Sequence, residues 1–161
     1  MKILNKLKER WQGIDYPFLI HSTGELRFSE IAEQELLDMS DIKKGDVVAL
    51  VGDFDPKSIL TLLLLIDKNI ILVPLTKETQ SQHEYFFKSA LVDIVIEGNS
   101  IKRIKHEAKH EFVEKLRSKE HAGLVLFSTG TTGRPKAILH DLTVFLKRFE
   151  TPRPTLKTLN F

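Results

Sequence analysis

The chain contains no cysteine. That absence removes disulfides, thiolate catalysis and cysteine-ligated zinc together, and it fits a reducing compartment, so a cytoplasmic location is expected. Long hydrophobic runs are missing too. The densest, Ile59 to Ile66, is separated from Ile70 to Val73 by Asp67, Lys68 and Asn69. Each falls far short of the roughly 20 apolar residues that cross a bilayer, so no membrane span is expected. The N-terminal MKILNKLKERWQG scatters basic residues without an unbroken apolar stretch and does not read as a signal peptide. Charge of one sign is also scarce: 24 Lys and Arg against 22 Asp and Glu leave a net +2, which predicts no dedicated nucleic-acid surface.

What is present suits one ordinary folded domain. The chain has 161 residues, of which 42% are hydrophobic and 29% charged, enough to bury a core and too few for two comfortable domains. Ile3, Leu4 and Leu7 predict a short amphipathic helix, and Phe18 to Phe28 reads as a hairpin turning at Ser22, Thr23 and Gly24. Ser29 is placed to cap a helix carrying Ile31, Ala32, Leu36 and Leu37. Val47 to Val51 reads as a strand whose continuous apolar run predicts burial on both faces. Asp55 and Pro56 then start a helix running to about Lys68, with Asn69 suited to the left-handed position at its end. Ile70 to Val73 predicts a strand ending at Pro74. Ser81 and Glu84 form a capping box before Tyr85, Phe86, Phe87, Ala90 and Leu91, and Val92 to Ile96 is a third strand. Strand, helix, strand, helix, strand predicts an α/β fold with a mostly parallel sheet flanked by helices. A charge-rich stretch over 101–119 precedes a further strand, Leu124 to Phe127.

That strand runs into Ser128, Thr129, Gly130, Thr131, Thr132, Gly133, Arg134, Pro135 and Lys136. Gly130 and Gly133 permit positive φ and close approach of backbone amides to a ligand. Four hydroxyls over 128–132 can donate to phosphoryl oxygens, and Lys136 adds a point charge, so the segment reads as a polyphosphate cradle. It is not a Walker loop, in which lysine directly follows the last glycine and Ser or Thr follows the lysine; here Arg134 and Pro135 intervene and Ala137 follows. The bland alternative is a surface turn between two strands, which needs no lysine at fixed spacing.

Ser128 to Lys136 resembles the signature T-S-G-T-T-G-x-P-K-G of the adenylate-forming superfamily, which includes AMP-binding acyl-CoA synthetases, nonribosomal-peptide adenylation domains and luciferases. Gly45 to Leu75 is similar to the strand, helix, strand region of that family, and Phe28 to Leu37 to its early helix. The likeness covers about residues 20 to 145, the opening of an architecture roughly three times this length. Three positions depart from the pattern: Ala137 stands where glycine is usual, Asn69 replaces a helix-end glycine, and Ser128 and Thr129 reverse the commoner order. His140 matches a histidine often seen there.

The resemblance implies an N-terminal part of an AMP-binding domain: helix and hairpin over 1–28, βαβ units over 29–127, the phosphate-binding loop over 128–136 and a truncated extended tail over 151–161. It implies an ATP-dependent ligase that activates a carboxylic acid as its acyl-adenylate, with coenzyme A or a carrier thiol as second substrate. Ser128, Thr129, Gly130, Thr131, Thr132, Gly133 and Lys136 would hold the ATP phosphates, Lys136 in the catalytic role, and Mg²⁺ would bridge phosphate oxygens. The remaining motifs would lie C-terminal to Phe161, so the 161-residue chain alone is expected to be catalytically incomplete. A reading of another class stays open, a stand-alone nucleotide- or partner-binding module without ligase activity.

One competing motif stands elsewhere. His106, Glu107, Ala108, Lys109 and His110 spell H-E-x-x-H, which on a helix presents two imidazoles to zinc. Lys102, Arg103, Lys105, Lys109 and Lys115 surround it, so a solvated face is expected rather than a metal centre. His21, His83, His121 and His140 are scattered. Phe86 and Phe87 read as core, and Asp55 as a helix cap rather than half of a catalytic pair with Asp53.

Overall fold

The computed structural model describes residues 2–21, 24–32, 37–53, 55–128 and 133–151. Helix α1 (Ile3–Trp11) leads to the predicted hairpin, β1 (Leu19–His21) and β2 (Gly24–Leu26), with Leu19 opposite Leu26. Trp11 and Phe28 both pack on Phe18 at ring-centroid distances of 5.0 Å, which joins helix and hairpin. Helix α2 (Phe28–Ala32) starts one residue before the cap expected at Ser29. The Glu30 carboxylate accepts from the Arg27 amide at 2.6 Å, supplying the back-bond of a capping box without a hydroxyl partner. The continuation expected over 33–36 lies outside the described residues, and Leu37, expected on the same helix, is irregular.

The strands that follow are β3 (Val47–Val51), β4 (Ile71–Leu75), β5 (Ile94–Glu97), β6 (Ser100–Arg103), β7 (Gly123–Ser128) and β8 (Lys136–Asp141), in the spatial order β6-β5-β3-β4-β7-β8. The four central strands run parallel, and β6 and β8 close the edges antiparallel. Strand β3 is buried on both faces, as its unbroken apolar run predicts. Helix α3 (Pro56–Asp67) connects β3 to β4, and Asn69, just past its C-cap Lys68, takes the left-handed conformation at φ +56°. The Asp67 carboxylate accepts from the amides of Ile3 and Leu4, capping α1 from another element. Helices α4 (His83–Ala90) and α5 (Glu111–Lys119) precede β5 and β7, and α6 (Leu142–Leu146) follows β8.

Two apolar layers sandwich the sheet. On one face Val47, Ala49, Val51, Val73 and Val125 meet Phe86 and Ala90 of α4 and Val113 and Leu116 of α5. On the other, Val48, Leu50, Leu72, Ile94 and Ile96 meet Leu65 of α3 together with Met39 and Ile42. Each fully buried side chain of this size contributes about 1.5–3 kcal/mol of transfer free energy, so this sandwich dominates the fold.

Three sequence expectations need correction. Pro74 does not end its strand: it stands opposite Leu50 inside β4. Ile71 donates to Asp46 and Leu75 accepts from Gly52, so alternation turns the Pro74 nitrogen toward β7, where pairing has already ceased after Leu72 and Leu124. The Ser81 and Glu84 capping box is not formed, because 77–82 winds as a 3₁₀ turn and α4 begins from Gln82 without a side-chain cap. The charged stretch over 101–119, given no element from sequence, contains most of β6 and all of α5.

Candidate functional site

The H-E-x-x-H residues are neither helical nor convergent. Residues 104–110 are irregular; His106 Nε2 lies 3.2 Å from the Asp93 carboxylate, and His110 Nδ1 accepts from the Phe112 amide at 3.2 Å as the cap of α5. Asp93 is a structural hub, accepting also from the buried Val47 amide and from Arg117, each at 2.8 Å. Among the described residues no group of three or more His, Asp or Glu side chains is arranged to hold a metal.

The parallel strands β3, β4, β5 and β7 direct their C-terminal ends to one edge of the sheet. The chain leaves β3 toward α3 on one face and leaves β4 toward α4 on the other. Diverging loops of this kind open a crevice between neighbouring strands, the usual ligand position in such sheets. A cleft of about 140 Å³ lies there, lined by Gly52, Asp53, Ser58, Ile59, Pro74 and Thr76. Gly52 is required by close approach: a Cβ would overlap the Ser58 hydroxyl oxygen and come within 3.1 Å of its Cβ. Asp55 caps α3 beside it, accepting from the Ser58 amide at 3.0 Å and its hydroxyl at 2.5 Å. Partial burial works against the Asp55 charge, but these hydrogen bonds outweigh it and hold the carboxyl below its ordinary value.

The hydroxyl- and glycine-rich segment springs from the same edge. Ser128 is the last residue of β7 and stands directly opposite Lys136, the first residue of β8, so the two side chains share a face. Thr129, Gly130, Thr131 and Thr132 lie outside the described residues. Ser128 is half-buried, whereas Gly133, Arg134 and Lys136 are exposed, and Lys136 has no partner among the described residues. The φ of Gly133 is not left-handed, and among the described residues a Cβ there would meet nothing within 4 Å. His140 lies on the same face as Lys136, but four residues along β8, about 13 Å away, so it does not share one phosphate group with that lysine.

Sequence reasoning missed the support beneath the loop. The Tyr85 hydroxyl of α4 donates to the Pro135 carbonyl at 2.8 Å, and the Arg134 guanidinium sits 5.6 Å from the Tyr85 ring centroid. Phe86 stacks on Phe127 at 4.1 Å between centroids. The partners of the hydrogen bond are 50 residues apart, and only the apolar character of Tyr85 and Phe86 was visible as a signal.

No protein-family model and no curated protein matches the chain. Solved structures do. The N-terminal subdomain of NpsA from Klebsiella oxytoca, in complex with anthranilyl-AMSN, aligns with a TM-score of 0.63 and 20% identity over 94% of this chain and 43% of that one. The same subdomain in complex with 3-hydroxybenzoyl-AMSN gives a TM-score of 0.59 and 21% identity over 85% and 39%. VinN, also solved with L-aspartate, gives 0.56 and 15% over 87% and 44%. The chain therefore spans about two fifths of the solved chains it matches. At such identities the likeness concerns architecture, and this chain carries the fold found in the N-terminal subdomain of the adenylation enzyme NpsA and in VinN.

Proposed function

We propose that this chain is the N-terminal part of an ATP-dependent ligase that activates a carboxylic acid as its acyl-adenylate, and that its β7–β8 loop holds the ATP phosphates. The observation that carries the reading is the pairing of Ser128 with Lys136 across the mouth of a glycine- and threonine-rich loop, at the edge where the parallel strands end. The fold shared with NpsA and VinN supports it. Lys136, with no partner among the described residues, is free to place its ammonium on a phosphoryl oxygen. Ser128, Thr129, Thr131 and Thr132 supply hydroxyl donors, and Gly130 and Gly133 leave space for backbone amides to approach.

The chemistry asked of this part is positional. The acid attacks the α-phosphate and pyrophosphate departs; the loop orients the β- and γ-phosphates and stabilises the charge that builds on them. Mg²⁺ would arrive with ATP and neutralise phosphate oxygens, since the described residues offer no carboxylate cluster to bind it independently. Coenzyme A or a carrier thiol would accept the acyl group in the second step, with AMP as the leaving group.

The test is carboxylate-dependent exchange between ATP and pyrophosphate, catalysed by the polypeptide of the complete reading frame. Lys136→Ala is expected to lower exchange by about 10²-fold or more, the usual cost of losing one stabilising contact to developing charge. Exchange that survives the substitution unchanged refutes the assignment of the loop. If the unaltered polypeptide shows no exchange with any acid, yet the 161-residue chain binds Mg·ATP saturably, the stand-alone binding module is the better reading.

A further inference from the structure

Adjacent residues of α4 grip the two strands that carry the loop. Successive positions on a helix point about 100° apart, so neighbours reach different targets. Phe86, 4% exposed, lies under β7 and stacks on Phe127, the residue immediately before Ser128. Tyr85 reaches the other limb, where its hydroxyl donates to the carbonyl of Pro135, the residue immediately before Lys136. The peptide unit is planar, so holding the Pro135 oxygen fixes the orientation of the amide that leads into Lys136. Proline already restricts φ at 135, and the hydrogen bond removes the main freedom that remains at this end of the loop. Arg134 lies over the face of the same ring, so Tyr85 touches two consecutive loop residues.

We propose that Tyr85 is a positioning residue for this loop: its hydroxyl sets the backbone at Pro135 and thereby the place from which Lys136 meets a phosphate. The role rests on the reading of the loop as a phosphate site. The hydrogen bond joins two groups of this chain, so its effect on the backbone at Pro135 can be measured apart from phosphate binding.

Tyr85→Phe removes the hydroxyl and keeps the ring, its stacking and its share of the core, so the variant is expected to fold. Amide hydrogen exchange, followed by mass spectrometry on the 161-residue chain without nucleotide, should quicken roughly 2- to 10-fold over 133–137, the range one net hydrogen bond supports. Exchange in β3 and α5 should not change. In the polypeptide of the complete reading frame, affinity for Mg·pyrophosphate should fall by a similar factor. Unchanged exchange over 133–137 overturns the proposal. So does quickening across the whole sheet with pyrophosphate affinity intact, the pattern of a merely structural tyrosine. Local quickening in a protein that never binds pyrophosphate, altered or not, leaves Tyr85 as the anchor of the loop and overturns the phosphate reading instead.

Discussion

Replacing Asp93 by alanine tests how the sheet is tied together at the end away from the loop, and whether the histidines beside it are structural. The Asp93 Oδ2 atom accepts from the amide of Val47, a residue with no exposed surface, and from Arg117 Nη2, each at 2.8 Å; His106 lies 3.2 Å from Oδ1. Removing the carboxylate strands a buried amide, at a cost of about 1–3 kcal/mol. The ion pair with Arg117 is partly open to water, with side chains 19% and 32% exposed, so its loss adds nearer 1 kcal/mol than the 3–5 of a fully buried pair. The expected total is about 2–4 kcal/mol, a fall in Tm of about 4–16 °C for a domain of this size. Asp93→Asn retains an acceptor for the Val47 amide and should lose only about 1 kcal/mol. Urea unfolding is the assay, read as a shift of midpoint at unchanged slope. Equal losses in the two variants would refute the account, because they would show that the Val47 amide does not depend on this oxygen. A chelator tests the histidines in the same experiment: EDTA should leave the midpoint of the unaltered chain where it is, and a drop would revive a metal at His106 and His110.

Two further perturbations address the edge where the candidate site lies. Gly52→Ala should destabilise the chain by about 1–3 kcal/mol, because the new methyl overlaps the Ser58 hydroxyl. Adding Ser58→Ala should recover part of that loss in the same unfolding assay, whereas strict additivity of the two substitutions would show that they do not meet. Asp55 and Asp141 predict acid sensitivity. Burial opposes the charge of each, but hydrogen bonds from Ser58 to Asp55, and from His121 and the Val144 amide to Asp141, hold both carboxyls below their ordinary values. Depressed carboxyls contribute stability above the unfolded pKa of about 3.9 and lose it as the pH falls through their native values. The urea midpoint should therefore drop below about pH 4, and drop less in the Asp55→Asn, Asp141→Asn double variant. Parallel midpoint curves for the two proteins would contradict this assignment.

The parts of the fold legible in the sequence are those whose signals are local and strong. The β-branched, unbroken apolar run Val47 to Val51 pointed to a strand buried on both sides, and Asp55 with Pro56 supplied both cap and first-turn geometry for α3, which the Ser58 contacts bear out. Elements α5 and β6 escaped notice because they bury little. Only Val113 and Leu116 of α5 are buried, and β6 is an edge strand with Ile101 half-buried among exposed residues. Ser81 and Glu84 misled because spacing alone cannot reveal that the preceding turn is 3₁₀. There His83, buried, places Nε2 3.0 Å from the Thr76 carbonyl and 3.1 Å from the Thr79 hydroxyl, binding that turn to the first residue of α4. The phosphate-loop proposal could be made from sequence because the glycines, hydroxyls and lysine it rests on are contiguous, from Ser128 to Lys136. The anchor of the loop could not, since nothing in the neighbourhood of Tyr85 announces a contact with Pro135.

The hairpin that carries the loop is supported unevenly, and this decides where its geometry is controlled. On one face of β7 and β8, Val125, Phe127 and Leu139 pack against the layer built by α4 and α5. On the opposite face, which also bears Ser128 and Lys136, Leu126 and Ile138 remain 43% and 44% exposed. Pairing with β4 reaches only Leu72 and Leu124, so the last four residues of β7 extend beyond that neighbour with β8 as their ladder partner. A hairpin held on one face and released from the central sheet takes its position from whatever covers that face. Next to the loop that cover is α4, through Phe86 beneath β7 and Tyr85 at Pro135. The placement of Lys136 is thus set less by the parallel core, whose pairing with β7 ends at Leu124, than by two aromatic side chains on one helix.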